Sequence, residues 1–149
     1  MTTITTRPMT INDYDDVVAL WLSCVGMGLN DIDDSKVGID KFLQRNPSTC
    51  FVATQDGQIV GVILSGQDGR RAYIYHLAVA PTQRRWGIAK RLVDEVECAL
   101  DKMVISKVAL VVFDNNPIGN DFWESQGFYV RQDLLYRDKA LVDLVRIDT

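Results

Sequence analysis

Residues 77–89 carry the feature that most limits the fold, because an apolar strand there runs through a basic turn into an amphipathic helix. The segment reads LAVAPTQRRWGIA, and apolar residues continue at helical spacing up to Met103. Backbone N–H groups at a helix N-terminus have no intrahelical acceptor, and the positive end of the helix dipole lies at the same place. Such a strand, turn and helix can hold a pyrophosphate, so the segment predicts a phosphate-binding turn.

Composition favours one soluble globular domain over residues 1–149. Hydrophobic residues make up 47% of the chain and charged residues 24%, which is enough for a buried core. The net charge is −4 and the pI is near 4.9, which argues against nucleic acid as a partner, since nucleic-acid binders carry a basic face. The longest apolar run, residues 108–113, is far shorter than a membrane span, and the N-terminus lacks a signal-peptide pattern. We therefore expect a cytoplasmic protein with no membrane partner.

The cysteines and the single histidine give little support to a metal site. Cys24, Cys50 and Cys98 form no C-x-x-C pair and lie in apolar segments, as small core residues in a reducing compartment do. One histidine, His76, is too few for an ordinary zinc site. We predict no metal.

Hydrophobic periodicity and turn signals predict an α+β chain with the element order β α α β β β α β α β β. The predicted strands cover residues 3–7, 51–54, 59–64, 72–79, 108–113, 128–132 and 133–139, and the predicted helices cover residues 13–25, 35–45, 88–102 and a short stretch from residue 117. Asp56-Gly57 between the second and third strands predicts a β-hairpin. Within residues 72–79, positions 73, 75 and 77 face one way and positions 74, 76 and 78 the other, unless a bulge interrupts the pleat.

The order of these motifs resembles that of the GNAT superfamily of acyl-CoA-dependent N-acyltransferases. The strand ending in LAV, the basic glycine turn, the amphipathic helix, a second apolar strand, Asn116 and the run FWESQGF follow one another as in that family. The resemblance extends over nearly the whole chain and is strongest to the small single-domain branch that includes ribosomal-protein N-terminal acetyltransferases. It implies a mixed, mostly antiparallel sheet of six to seven strands flanked by about four helices, with splayed central strands.

The resemblance also implies acetyl-CoA as cosubstrate and assigns residues to it. The signature Q/R-x-x-G-x-G/A matches Arg84, Gly87 and Ala89, so the amides of residues 85–90 would hold the pyrophosphate. Main-chain groups of Leu77 and Val79 would bind the pantetheine arm. The full set of implied coenzyme contacts is Leu77, Ala78, Val79, Arg84, Arg85, Trp86, Gly87, Ile88, Ala89, Lys90, Asn116 and Trp123.

The chain departs from the family at two positions. Gly119 stands where alanine is usual, and Trp123 stands where a tyrosine commonly protonates the leaving thiolate. Indole can donate a hydrogen bond but cannot release a proton at a useful pH. Because a thiol pKa of about 8.5 is only about 1.5 units above neutrality, loss of this proton donor costs roughly 2 kcal/mol. The departure weakens the mechanism and leaves a non-catalytic coenzyme A-binding module as the alternative function.

For the acceptor, the resemblance implies a primary amine that attacks the thioester directly in a ternary complex. The amine would belong to a small molecule or to a protein N-terminus. Tyr73 and Tyr75 would line the site and relay the proton as catalytic groups, whereas pleat parity places His76 on the opposite face. Substrate binding is assigned to Asn30, Asp31 and Tyr75.

Two further features leave alternatives open. Arg70 and Arg71 would contact either an acidic acceptor or the 3′-phosphate of the coenzyme. The mixed apolar and polar segment of residues 140–149 makes a homodimer plausible.

Overall fold

A five-stranded sheet with helices on both faces organises the chain. The computed structural model describes residues 3–84 and 87–148. The strands are β1 (Ile4–Pro8), β2 (Phe51–Gln55), β3 (Gln58–Gln67), β4 (Ala72–Val79) and β5 (Val108–Ala109), and they lie in the order β1-β2-β3-β4-β5. The helices are α1 (Tyr14–Leu22), α2 (Lys36–Arg45), α3 (Ile88–Lys102) and α4 (Pro117–Ser125), with 3₁₀ turns at Ile11–Asp13 and Pro81–Gln83. The predicted α+β class and mixed sheet are confirmed.

Two apolar layers hold the helices against the sheet. Between α1, α2 and one face lie Val17, Trp21, Leu43 and other buried side chains. Between α3 and the other face lie the side chains of Leu92 and Val96, with Trp123 of α4 in the same cluster. The amphipathic pattern of α3 explains this position, because the apolar stripe of such a helix is stable only when it is buried.

The β2–β3 hairpin confirms the prediction from Asp56-Gly57. Asp56 has a φ of 52° and Gly57 a φ of 76°. Positive φ at both central residues defines a type I′ turn, whose twist matches that of the flanking strands.

Local capping sets the helix starts. The Ser35 hydroxyl oxygen accepts a hydrogen bond from the Gly38 backbone N–H at 3.0 Å, which satisfies an otherwise unpaired donor of α2. The helix predicted for residues 13–25 is shorter in the structure and follows a 3₁₀ turn. In that turn the Asp13 carboxylate accepts from the Thr10 N–H at 2.9 Å.

The sheet has five strands rather than the predicted six to seven. Of the strand predicted for residues 108–113, only β5 pairs with β4, in parallel and at two positions. Residues 128–139 contain no strand. Residues 147 and 148 contact the loop after α1 rather than the sheet. The Ile147 N–H donates to the Leu29 carbonyl at 3.1 Å. The Asp148 carboxylate accepts from the N–H groups of Gly28 and Leu29, each at 2.9 Å. These contacts bind residues 145–148 to the loop between α1 and α2.

Candidate active site

A β-bulge in β4 determines which side chains face the α1 and α2 layer. The register with β3 pairs Leu64 with His76 and Ser65 with Ile74, so Tyr75 is the extra residue. A bulge places two consecutive side chains on one face. The Tyr75 ring lies 5.4 Å from the Phe42 ring of α2, and the His76 ring lies 5.1 Å from the Trp21 ring of α1. The prediction that His76 faces away from Tyr73 and Tyr75 is therefore wrong, because the bulge interrupts the pleat.

The bulge brings His76 to a buried carboxylate. His76 Nε2 lies 2.8 Å from Asp34 Oδ1, and the two side chains are only 11% and 6% exposed. Asp34 Oδ2 accepts from the Asn30 N–H at 2.9 Å. When the Asp34 carboxylate accepts this hydrogen bond, His76 Nε2 carries the hydrogen, and in the neutral imidazole Nδ1 then carries the lone pair.

His76 Nδ1 is buried and has no hydrogen-bond partner within the described residues. The indole N–H of Trp21, whose ring packs against His76, is likewise buried and unpartnered there. A buried lone pair beside a buried donor is an uncommon arrangement, because most buried polar groups are hydrogen-bonded. Sequence reasoning missed the pairing of His76 with Asp34. The signal that could have found it is the acidic loop of residues 30–34, combined with the possibility of a bulge at the single histidine.

The two tyrosines assigned to catalysis lie together on this face. The Tyr73 and Tyr75 rings are 4.7 Å apart. Burial raises the pKa of Tyr73 above its usual value, and the nearby hydroxyls of Tyr136 and Tyr75 add to the shift. Tyr73 is therefore protonated at neutral pH, and its hydroxyl can donate a hydrogen bond.

The residues assigned to substrate binding in the α1–α2 loop make contacts within the fold. The Asn30 side-chain oxygen accepts from the N–H groups of Ile32 and Asp33, at 3.0 and 2.7 Å. Asp31 Oδ1 accepts from the Val145 N–H at 2.8 Å. The structure thus brings Asp31 to the C-terminal segment, and the polar atoms of Asn30 hold the loop that carries Asp34.

Splaying of β4 from β5 exposes the edge of β4 that leads to the phosphate-binding turn. The parallel pairing ends after Tyr73 and Ala109, which confirms the predicted splay. The Ala80 N–H donates to the Val60 carbonyl. Because hydrogen bonding alternates along an antiparallel pair, the main-chain groups of Leu77 and Val79 point away from β3.

Side chains reach the same edge of β4 from outside the sheet. The Val79 carbonyl accepts a hydrogen bond from Arg84 Nε at 3.3 Å. Ala78 has its side chain in the core on the α1 side, whereas the side chains of Leu77 and Val79 lie in the core on the α3 side. Leu77 and Val79 can therefore offer main-chain groups to a ligand while their side chains stay in the core.

The N-terminus of α3 is the place where the sequence predicts a pyrophosphate. Gly87 is the N-cap, has a φ of 74° and provides no side-chain cap. A Cβ built on Gly87 meets nothing within 4 Å, so the space above it is open. The helical bonds begin with the Arg91 N–H donating to the Gly87 carbonyl at 3.0 Å. Arg85 and Trp86 lie outside the described residues.

The remaining first-turn residues have separate side-chain roles. Ile88 is buried in the core, Ala89 packs against it, and Lys90 Nζ pairs with Asp94 at 2.8 Å on the surface. Across the described chain, no protein acceptor contacts the N–H groups of Ile88, Ala89 or Lys90. As the first residues of a helix they also lack intrahelical acceptors, and their contact with a pyrophosphate stays a prediction.

Asn116 and Trp123 have clear roles in the packing of α4. Asn116 Oδ1 accepts from the Gly119 N–H at 3.0 Å and so caps the helix. A Cβ on residue 119 would lie 2.6 Å from Asn116 Nδ2, which explains why glycine stands there. Trp123 is buried between the rings of Phe122 and Phe128, at 5.1 and 5.0 Å. Their contact with the coenzyme stays a prediction.

Comparison with known proteins identifies the family. Residues 15–128 match the Acetyltransferase (GNAT) family. The chain belongs to the GNAT acetyltransferase family. It is 30% identical to an acetyltransferase of Sodalis glossinidius, SG1711, over 132 residues that span 89% of this chain and 92% of that protein.

Solved structures share the fold of this GNAT acetyltransferase. PaiA N-acetyltransferase from Thermoplasma acidophilum, in complex with coenzyme A, superposes with a TM-score of 0.78 at 21% identity, over 87% of this chain and 91% of that one. Ard1 from Thermoplasma volcanium gives a TM-score of 0.77 at 22% identity, over 86% and 84% of the two chains.

The family makes this GNAT acetyltransferase an enzyme that transfers acetyl groups from acetyl-CoA to amines. Among residues 3–84 and 87–148, no group of three or more His, Cys, Asp or Glu side chains is placed to hold a metal ion. No helix in the described part of the chain is long and apolar enough to cross a membrane.

Proposed function

We propose that this GNAT acetyltransferase acetylates a primary amine by direct attack on the thioester, with both substrates bound at β4. The observation that carries the proposal is the double role of this strand. Its bulge bears Tyr75 and His76, and its end leads into the uncapped N-terminus of α3. One strand therefore joins an anion-binding turn to a buried proton acceptor.

The coenzyme contacts follow from the groups left available along this path. The N–H groups of Ile88, Ala89 and Lys90 bind the pyrophosphate, helped by the dipole of α3. Main-chain groups of Leu77 and Val79 bind the pantetheine arm in the splay, as an added strand would be bound. A neighbour in fold that was solved with coenzyme A supports this assignment. Acetyl-CoA supplies the activated acetyl group as its thioester.

His76 takes the proton that the amine must lose. An α-amine with a pKa of about 7.7–8 is roughly 10% neutral at pH 7, whereas a lysine amine must lose a proton at a cost of about 4–5 kcal/mol. Asp34 holds His76 with its Nδ1 lone pair free for this step. Tyr73 and Tyr75 orient the amine and the water that links it to Nδ1. The amine nitrogen bonds to the acetyl carbon, the carbon–sulfur bond breaks, and coenzyme A leaves as a thiolate that takes a proton from solvent.

The acceptor is a small-molecule amine or a protein N-terminus. The test is thiol release from acetyl-CoA across a panel of amines and peptides, with a thiol reagent as the readout. Cys98 is exposed and would react with the reagent, so the assay uses the Cys98→Ser variant. Amine-dependent thiol release at more than tenfold the rate of acetyl-CoA hydrolysis is the expected result, and its absence with every amine contradicts the proposal.

Trp123 supports one alternative, a coenzyme A-binding module without turnover, because the indole cannot protonate the leaving thiolate. That alternative requires acetyl-CoA to raise the melting temperature while no amine yields thiol and Trp123→Tyr restores turnover. A homodimer through the C-terminal segment, which exposes Leu141, Leu144 and Ile147, stays a prediction.

A further inference from the structure

A cavity of about 460 Å³ lies between the end of α2, the β3–β4 loop and the start of β4. Phe42, Tyr73 and Tyr75 form its aromatic wall, with ring contacts of 4.7 and 5.4 Å between them. A volume of this order suits a molecule of amino-acid to dipeptide size. Since Tyr75 also forms the bulge beside His76, the cavity adjoins the candidate site of acetyl transfer.

Cationic side chains outnumber acidic ones among the described residues that line this cavity. Arg45 and Arg71 line it, and within the described ranges neither guanidinium lies within ion-pair distance of a carboxylate. Asp68, which also lines the cavity, accepts from the N–H groups of Arg70 and Arg71, both at 2.8 Å. These two hydrogen bonds lower the pKa of Asp68 below its usual value. Its Oδ1 is thus held by the turn, and against this one carboxylate the cavity carries two guanidinium groups.

The position of Arg71 separates it from the phosphate-binding turn. Arg71 precedes β4, whereas Gly87 lies beyond the other end of this eight-residue strand. At about 3.3 Å per residue the two ends are more than about 20 Å apart. Of the two alternatives for Arg71, an acidic acceptor is therefore favoured over the coenzyme 3′-phosphate.

We propose that the cavity binds the acceptor and that Arg45 and Arg71 bind a carboxylate on it. The substrate class is then an amine that also carries a carboxylate, either a free amino acid or a short acidic peptide. A guanidinium fork matches the planar carboxylate, and the three rings pack against the body of the substrate. The inference rests on the proposed function for the transfer step and adds the chemistry of the acceptor.

The test compares acceptors with and without the carboxylate, at a pH where each amine's neutral fraction is known and kcat/KM is expressed per neutral amine. In the Cys98→Ser background, kcat/KM is measured for phenylalanine, phenylalaninamide and phenethylamine. A second arm uses the dipeptides Ala-Glu and Ala-Gln, each with a free and an amidated C-terminus, and so separates amino acids from peptides. Arg45→Gln and Arg71→Gln are the variants. Lys41→Gln is the matched control, because Lys41 lies one turn before Arg45 on α2, is exposed and does not line the cavity.

Loss of the carboxylate is expected to lower kcat/KM about tenfold or more, the range for a charge-assisted hydrogen bond. Arg45→Gln and Arg71→Gln should lower it equally for the carboxylate-bearing acceptor. They should leave kcat/KM for phenethylamine and the KM for acetyl-CoA unchanged, and Lys41→Gln should change none of these values. Equal or faster turnover of the carboxylate-free amines, or equal losses for both classes in Arg71→Gln, overturns the inference.

Binding of the product separates this inference from the proposed function. If no amine yields thiol, the proposed function fails. Titration of the protein with coenzyme A and N-acetylphenylalanine then tests by itself whether the cavity binds a carboxylate. The inference is supported if N-acetylphenylalanine binds about tenfold more tightly than N-acetylphenylalaninamide and if this difference disappears in Arg71→Gln. Equal binding of the two, or no binding of either, overturns it.

Discussion

The Asp34→Asn substitution separates a catalytic from a structural role of the Asp34–His76 pair. In the protein, Asp34 accepts from the Asn30 N–H through one oxygen and from His76 Nε2 through the other, at 2.9 and 2.8 Å. An asparagine that keeps its oxygen on the Asn30 N–H turns its NH₂ group toward His76 Nε2. Because Nε2 must then accept, the ring hydrogen moves to Nδ1. Both hydrogen bonds persist, but Nδ1 can no longer take a proton.

The expected loss of activity is therefore much larger than the loss of stability. Positioned general bases contribute about 10²–10⁴-fold, so kcat for an α-amine should fall at least about 100-fold, with the KM for acetyl-CoA unchanged. Replacing charge-assisted by neutral hydrogen bonds costs about 1 kcal/mol, or about 2–4 °C in melting temperature for a chain of this size. His76→Leu leaves Asp34 buried without its partner, which costs about 3–5 kcal/mol and roughly 10 °C.

Steady-state kinetics and thermal unfolding of the two variants check this reasoning. Asp33→Asn is the matched control, because Asp33 neighbours Asp34 but is exposed and contacts only the Asn30 side chain among the hydrogen bonds resolved for its carboxylate. It should keep both kcat and melting temperature. A kcat for Asp34→Asn within about threefold of the unsubstituted protein refutes the role of His76 as the base. A melting temperature as low as that of His76→Leu refutes the exchange of tautomers.

Three other outcomes are expected. Gly87→Ala should lower the free energy of unfolding by about 1–2 kcal/mol from its positive φ alone and should also reduce the rise in melting temperature on adding coenzyme A. Gly57, with a φ of 76° against 74° for Gly87 and equally open space, gives the control: Gly57→Ala should lose similar stability with the coenzyme effect intact, and equal coenzyme effects in both variants count against the predicted phosphate-binding turn. Burial raises the pKa of Cys50 to about 12, so it stays a thiol at any working pH, and mass spectrometry after brief alkylation of the native protein should find label on exposed Cys98 and none on Cys50. Burial raises the pKa of Asp148, but hydrogen bonds from Arg146 and from the N–H groups of Leu29 and Gly28 outweigh it and hold the value below the usual range. The stabilisation that ionised Asp148 gives the folded protein is thus present above the unfolded-state pKa of about 3.9 and is lost as the pH falls through the lower folded-state pKa. Amide hydrogen exchange at residues 145–148 should speed up over that pH range, and an unchanged exchange rate below pH 3 would contradict the prediction.

Features set by local chemistry could be predicted from the sequence. Asp56-Gly57 encodes the β2–β3 turn through the positive φ that both residues tolerate. The start and end of β4 at Ala72 and Val79 match the prediction, because an apolar alternating run there is followed by proline. The glycine N-cap of α3 could also be predicted, since Gly87 and the amphipathic helix that follows are neighbours in the chain; phosphate binding there stays a prediction.

Features set by distant partners could not be predicted in this way. The bulge at Tyr75 depends on how β3 pairs with β4, and no residue type within β4 predicts its position. Apolar runs at residues 110–113 and 128–132 satisfy strand propensity but find no neighbouring strand in the described fold, and propensity alone does not form a ladder. The buried Asp34–His76 pair joins residues 42 positions apart, so it follows from the bulge and from the loop that Asn30 holds.

The local charge of the acceptor cavity opposes the net charge of the protein, and distance decides which matters for a bound substrate. The chain carries a net charge of −4, which repels an anionic acceptor while it is far away. At physiological ionic strength this repulsion is screened beyond about 8 Å. Within the cavity, Arg45 and Arg71 act at contact distance on a bound carboxylate, and these two cations outnumber Asp68, the one acidic residue among the described residues that line the cavity. The acidic character of the whole protein is therefore compatible with a carboxylate-bearing acceptor, and the net charge slows the encounter without reversing the preference at the site.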